Sequence, residues 1–153
     1  MSETLWLKPR VNIIGAGSGK TNLNAAPAPY DSPMVAHNVS LTDVRISQLR
    51  LFGGLKDSEQ HHPGTCLHSR GDPACKNGRF GLNGLELGSS EGPHDNIEVG
   101  PDVEIVSCAM GMLGGDTTNM HVHDNNFHHN GGIEGCDRGL LAQFLLSSLW
   151  WPD

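Results

Sequence analysis

Apolar residues in this chain recur at every second position in short runs, and three of the runs open on Asn and break at an acidic turn. They read NVSLTDVRI at Asn38–Ile46, NIEVGPDVEI at Asn96–Ile105 and NMHVHDNNF at Asn119–Phe127. A period of two predicts strands with one buried face. The last two runs begin 23 residues apart, counting from Asn96 to Asn119. A short strand unit returning at that period predicts a solenoid in which each coil stacks on the one before.

The alternation continues through GLEL, NIEV, VEIV, GML, NMHV, NNF and GIE, which gives two to three short strands per coil. Strands this short need neighbours above and below to satisfy their backbone groups. Val39, Leu41, Ile97, Val99, Met120 and Val122 are the expected inward columns, with Leu85 and Leu87 inward on GLNGLELGSS. Asn38, Asn96 and Asn119 are expected to share one corner. GMLGG at Gly111–Gly115 and GGIEG at Gly131–Gly135 read as one element on successive coils. The fold class expected is all-β, a right-handed parallel β-helix of four to five coils over residues 1–135. Residues 56–79, polar and rich in His, Gly and Pro, read as an excursion from it. Residues 136–153 abandon the repeat, and Leu140–Trp151 (LLAQFLLSSLWW) has helical spacing, as a short amphipathic helix or cap.

Composition narrows the function classes. Twenty Gly and eleven Asn favour tight corners, since both types tolerate positive φ. Ten basic against 17 acidic side chains give a net charge of −7, which disfavours a polyanion-binding surface. With one Tyr and four Phe, stacking platforms for single-stranded nucleic acid are not expected. The apolar run at Leu140–Trp151 is shorter than the roughly 20 residues that span a bilayer. MSETLWLKPR carries no apolar core of a secretory leader. The four cysteines, Cys66, Cys75, Cys108 and Cys136, allow three pairings if all are oxidised, with Cys66–Cys75 the bridge that the intervening turn residues suit; free thiols remain the other reading.

GAGSGKT at Gly15–Thr21 is near a phosphate-loop pattern, but Ile14 stands where the first Gly belongs, and NLNAAPAPYDSP is a poor helix to follow it. A Gly turn between two strands of the first coil is the better reading. The RGD tripeptide at Arg70–Asp72 is short enough to arise by chance.

HVHDNNFHH at His121–His129 is the densest group of candidate ligands. His121 and His123, two apart on a strand, leave the same face and can share a metal; with His128 they make a cupin-like metal set, although Phe127 and His128 stand where that motif expects Glu. Aligning the repeats on their leading Asn makes Asp43 and Asp124 equivalent and displaces Asp102 by one. If the coils of Asp102 and Asp124 are adjacent, the two carboxylates meet on one face. Close carboxylates either bind a hard cation such as calcium or push one pKa up; a solvated acidic corner is the plain alternative.

The Val11–Thr21 segment, the Asn-led repeats and the DNNFHHNGG turn together resemble right-handed parallel β-helix proteins of the pectate-lyase-like superfamily, over roughly Val11–Gly135, as a shortened or fragmentary member. The resemblance implies a carbohydrate-active protein that acts on or binds an extended polysaccharide, at the cell surface or outside the cell. Asp124, His123 and Asp102 would then be the catalytic candidates, with His121, His128 and His129 binding the glycan and calcium held by Asp102 and Asp124. The other expectations are a non-catalytic glycan-binding or structural solenoid, and a cupin-like metalloenzyme. The open strand edges of a solenoid predict self-association through its ends.

Overall fold

The computed structural model describes residues 1–27, 32–55, 82–87, 93–130 and the backbone of 134–136. All regular structure among them is β-strand, and every strand pairing is parallel. The first coil comprises β1 (Leu5–Leu7), β2 (Ile13–Ile14) and β3 (Asn22–Asn24). The second comprises β4 (Val35–His37), β5 (Thr42–Ser47) and β6 (Leu49–Phe52). The third comprises β7 (Asn83–Leu87), β8 (His94–Val99) and β9 (Val103–Val106). The fourth comprises β10 (Met110–Gly115), β11 (Thr117–Val122) and β12 (Asn126–His128), after which β13 (Glu134–Cys136) begins another turn.

The coils stack into three sheets. Sheet A runs β1-β4-β7-β10-β13, sheet B runs β11-β8-β5-β2, and sheet C runs β12-β9-β6-β3. The molecule is thus a parallel β-helix of about four coils, as the alternation predicts. Asn83–Leu87, Met110–Gly115 and Glu134–Cys136 do fall on one sheet, since β10 pairs with both β7 and β13.

The core is a set of aliphatic columns. Val44, Ile97 and Met120 stack in register, as do Ile46, Val99 and Val122, and Leu23, Leu51, Ile105 and Phe127. Leu85 and Leu87 are fully buried on β7. Burying one such side chain contributes roughly 1.5–3 kcal/mol, so the columns are the main force holding coil on coil.

The register corrects the sequence alignment of the first repeat. Asp43, not Asn38, stands level with Asn96 and Asn119. Val39 and Leu41 accordingly do not share the columns of Ile97 and Val99; Leu41 is buried before β5 begins, and Val39 packs at the core's margin. The corner itself explains the slip. Arg10, Asp43, Asn96 and Asn119 all adopt positive φ, at 60°, 55°, 54° and 52°. The chain therefore bends at one level in every coil, and Asn is only one of the residues that take that bend. The amide of Asn96 donates to Asp43 Oδ1 at 2.6 Å, tying two of these corners together.

A second corner, between sheets B and C, repeats the device at Gln48, Asp102 and Asp124, with φ of 57°, 60° and 52°. Here Asn125 turns inward on the fourth coil. Its Nδ2 donates to Val99 O at 2.8 Å and its Oδ1 accepts from Val103 N at 3.1 Å. Asn130 does the same at the next corner, donating to Ile105 O at 2.8 Å and accepting from Cys108 N at 3.0 Å. Each side-chain amide stands in for a backbone partner where the ladder bends, so the buried peptide groups keep their hydrogen bonds.

Two expectations concern residues outside those described: the excursion at 56–79, with Cys66, the RGD tripeptide and Cys75, and the apolar run at Leu140–Trp151. Among the described residues no helix is long and apolar enough to cross a membrane.

Candidate functional site

Alternation along β5, β8 and β11 points Val44, Ile46, Ile97 and Val99 into the core and sends Arg45 and Glu98 outward. Arg45, Glu98 and His121 are register neighbours on sheet B. Arg45 Nε lies 3.5 Å from Glu98 Oε2. The other oxygen, Oε1, is reached at 3.0 Å by Nε2 of His123, two residues beyond His121. His123 Nδ1 in turn lies 3.0 Å from Asp124 Oδ2.

Sheet C carries the same sequence of groups. Arg50 and Glu104 are register partners, with Arg50 Nε 3.3 Å from Glu104 Oε2. His128 Nε2 reaches Glu104 Oε1 at 2.9 Å. Its Nδ1 faces His129 Nδ1 at 2.7 Å, and the two rings meet edge to face. The Arg50 guanidinium carbon also sits 5.1 Å from the Phe52 ring centroid, within cation–π range.

Two Arg–Glu–His ladders thus climb from the second to the fourth coil on adjoining outer faces. Both Arg Nε atoms are buried yet make no aligned hydrogen bond, so the attraction to Glu is that of an ion pair alone. At the surface such pairs are each worth about 0–1 kcal/mol. Packing, not these charges, holds the coils together.

Protonation states follow from the contacts. With a carboxylate at each nitrogen, His123 is a donor at both positions. Its pKa is raised, first by the hydrogen bond to Asp124, then by that to Glu98. Asp102 is held below the usual carboxylate range by the hydroxyl and then the backbone amide of Ser18. Those bonds are 2.5 Å from Ser18 Oγ to Oδ1 and 3.0 Å from Ser18 N to Oδ2. The GAGSGKT segment is therefore a turn between β2 and β3 whose amide at Ser18 donates to an acidic side chain.

Of the residues singled out in the sequence, Asp102 and Asp124 do lie on adjacent coils at one corner, joined by Asp102 N donating to Asp124 O at 2.9 Å. Their carboxylates serve different partners: Asp102 is turned to Ser18 of the first coil, and Asp124 to His123 beside it. Asp43 stands at a different corner, in register with Asn96. His121 is exposed on β11 in register with Glu98. His128 and His129 form the end of the sheet C ladder. Among the described residues no group of three or more His, Cys, Asp or Glu side chains is arranged to hold a metal ion.

Sequence reasoning missed Arg45, Arg50, Glu98, Glu104 and Ser18. A signal was present: Arg45 and Arg50 are five apart, Glu98 and Glu104 six, His123 and His128 five. Outward positions on two consecutive strands recur at that interval. A second missed feature is the buried pair His37 and His94, whose rings meet edge to face at 4.2 Å between the second and third coils.

No protein-family model matches the chain, and neither the curated proteins nor the solved structures contain a match to it.

Proposed function

We propose that this chain is a β-helix that binds an extended polysaccharide along the outer faces of sheets B and C. The observation that carries the reading is the pair of parallel Arg–Glu–His ladders. A polymer lying along the solenoid axis meets a fresh rung on each coil, every 4.7–4.9 Å or so. The rungs alternate donor and acceptor groups, which suits sugar hydroxyls, and Arg45 and Arg50 offer cations to uronate carboxylates. The side chain of Arg45 is 43% exposed, so it remains accessible despite its Glu partner. The resemblance of the Asn-led repeats and the DNNFHHNGG turn to the pectate-lyase-like superfamily supports the same substrate class.

Binding is favoured over catalysis because the acid/base candidates are already engaged. Asp102 is kept ionised by Ser18, and His123 donates to carboxylates at both ring nitrogens. The second reading is a lyase or glycosidase in which Glu98, His123 and Asp124 relay a proton; their continuous hydrogen-bonded chain favours it. Calcium at Asp102 and Asp124 has no part in that reading, because the two carboxylates are turned to Ser18 and to His123.

Calorimetric titration with polygalacturonate, alginate and a neutral glucan tests both. The expected result is saturable binding to at least one polymer, lost in the R45A/R50A double variant, with neither new reducing ends nor unsaturated product. Polymer cleavage would favour the enzyme instead, and absence of binding to the whole panel would remove the proposal.

A further inference from the structure

The charges on the outer faces are sorted by coil. In the second coil the described charged side chains are Asp43, Arg45 and Arg50, and Asp43 lies at the corner, where Asn96 Nδ2 donates to it. In the third coil they are Glu86, Asp95, Glu98, Asp102 and Glu104, all acidic. The strand registers turn this sorting into columns. On sheet B, Arg45 is followed by Glu98 and then His121, while Asn12 of the first coil accepts from Arg45 N at 2.8 Å. On sheet C the column is Asn22, Arg50, Glu104 and Asn126. Both columns therefore pass from a neutral amide to a cation, then to a carboxylate, then to a side chain that bears no acid.

A chain of sugars laid along the axis meets one rung about every 4.8 Å. An acidic sugar gains at Arg45 or Arg50. Each Arg Nε faces its Glu without an aligned hydrogen bond, and exposed pairs of that kind are weak enough to yield the guanidinium to a second, planar carboxylate. One rung further, an acidic sugar faces Glu98 or Glu104, and the side chain of Glu98 is 37% exposed. Like charges so placed repel, whereas a hydroxyl or amide N–H donates to a carboxylate. At the next rung His121 and Asn126 again oppose no negative charge to the ligand. A uronate on every sugar is thus mismatched at the third coil, and a neutral polymer leaves the second-coil cations unused.

We infer that the polysaccharide this surface selects carries a uronic acid on every second sugar, roughly 9.5 Å apart, with an uncharged sugar between. The inference rests on the polysaccharide binding proposed above and names the class of polymer. The uronate carboxylate sits at Arg45 or Arg50, and the hydroxyl or amide donors of the uncharged sugar sit at Glu98 or Glu104. Specificity comes from what the third coil repels as well as from what the second attracts.

Calorimetric titration of the full chain with oligosaccharides of equal length tests this. The probes are hyaluronan, in which a glucuronate alternates with an uncharged amino sugar, polygalacturonate, with an acid on every sugar, and neutral cellulose. Hyaluronan should bind at least about tenfold more tightly than either of the others. In the E98Q/E104Q double variant, with a parent-like far-ultraviolet spectrum, polygalacturonate should bind more tightly and the preference should shrink. Polygalacturonate or cellulose binding as tightly as hyaluronan, or a preference unchanged in the double variant, would overturn the inference and leave polysaccharide binding standing. No binding by any of the three would remove both.

Discussion

The backbone N–H of Leu41 donates to Nδ1 of His94 at 2.9 Å, in the interior between the second and third coils. A ring nitrogen that accepts a hydrogen bond carries no proton, so His94 is a structural acceptor here and bears its proton on Nε2. His94→Leu strands the Leu41 donor in an apolar site and should cost about 1–3 kcal/mol. His94→Asn can return an oxygen to the position of Nδ1 and should recover part of the loss. Chemical denaturation of the three proteins orders them: parent, Asn, Leu. An equally stable Leu variant would mean that the bond contributes nothing.

His123 predicts that stability falls as pH rises above about 6.5. Its pKa is raised above the ordinary value of 6.5, so its contribution to stability is fully present below about 6.5 and is lost as pH rises through the folded-state value. The parent should lose melting temperature over that window relative to His123→Ala, whose curve lacks the step. Titration followed by proton resonance should show a lowered His123 pKa in Asp124→Asn and a smaller lowering in Glu98→Gln. The reverse order would assign the larger role to Glu98.

Asp102 and Ser18 work in the opposite direction. Because Asp102 is depressed below 3.8, its contribution is present above that value and is lost as pH falls through the folded-state pKa. Ser18→Ala removes the larger of the two causes. It should raise the Asp102 pKa towards 3.8 and remove part of the acid-side stability step, measured by carboxylate resonance titration and acid denaturation.

Cys108 should be chemically silent. Burial pushes its thiol up to about 12, against a weaker lowering by the Gly53 amide. Alkylation of the native protein at mildly alkaline pH, read by peptide mass mapping, should leave Cys108 unmodified until denaturant is added. Rapid native labelling would show that the third coil opens there.

Close packing around the same side chain gives a stability test. A Cβ at Gly84 would meet Ile105 Cγ2, Gly111 O at 2.6 Å and Cys108 Sγ at 3.4 Å. Gly84→Ala should therefore destabilise by about 1–3 kcal/mol, seen as a lower denaturation midpoint.

The strands were legible in the sequence because alternation is local: Ile97 and Val99, or Leu85 and Leu87, announce a buried face without reference to any other coil. The 23-residue return from Asn96 to Asn119 was legible too. Asn38 misled because the left-handed corner is taken by Arg10 and Asp43 as well as by Asn, so the marker residue changes while the bend does not. The ladders were hidden for a related reason. Nothing local connects Arg45 to Glu98, 53 residues apart; only the register of β5 on β8 does. The histidines were visible as a cluster, but their partners were not.

The corner bonds also close loops of unequal length. Asn96 reaches Asp43 across 53 residues, whereas Thr118 reaches Asp95 across 23. Closing the longer loop costs about 0.7 kcal/mol more in chain entropy. Chain entropy alone therefore favours pairing of the third and fourth coils over pairing of the second and third.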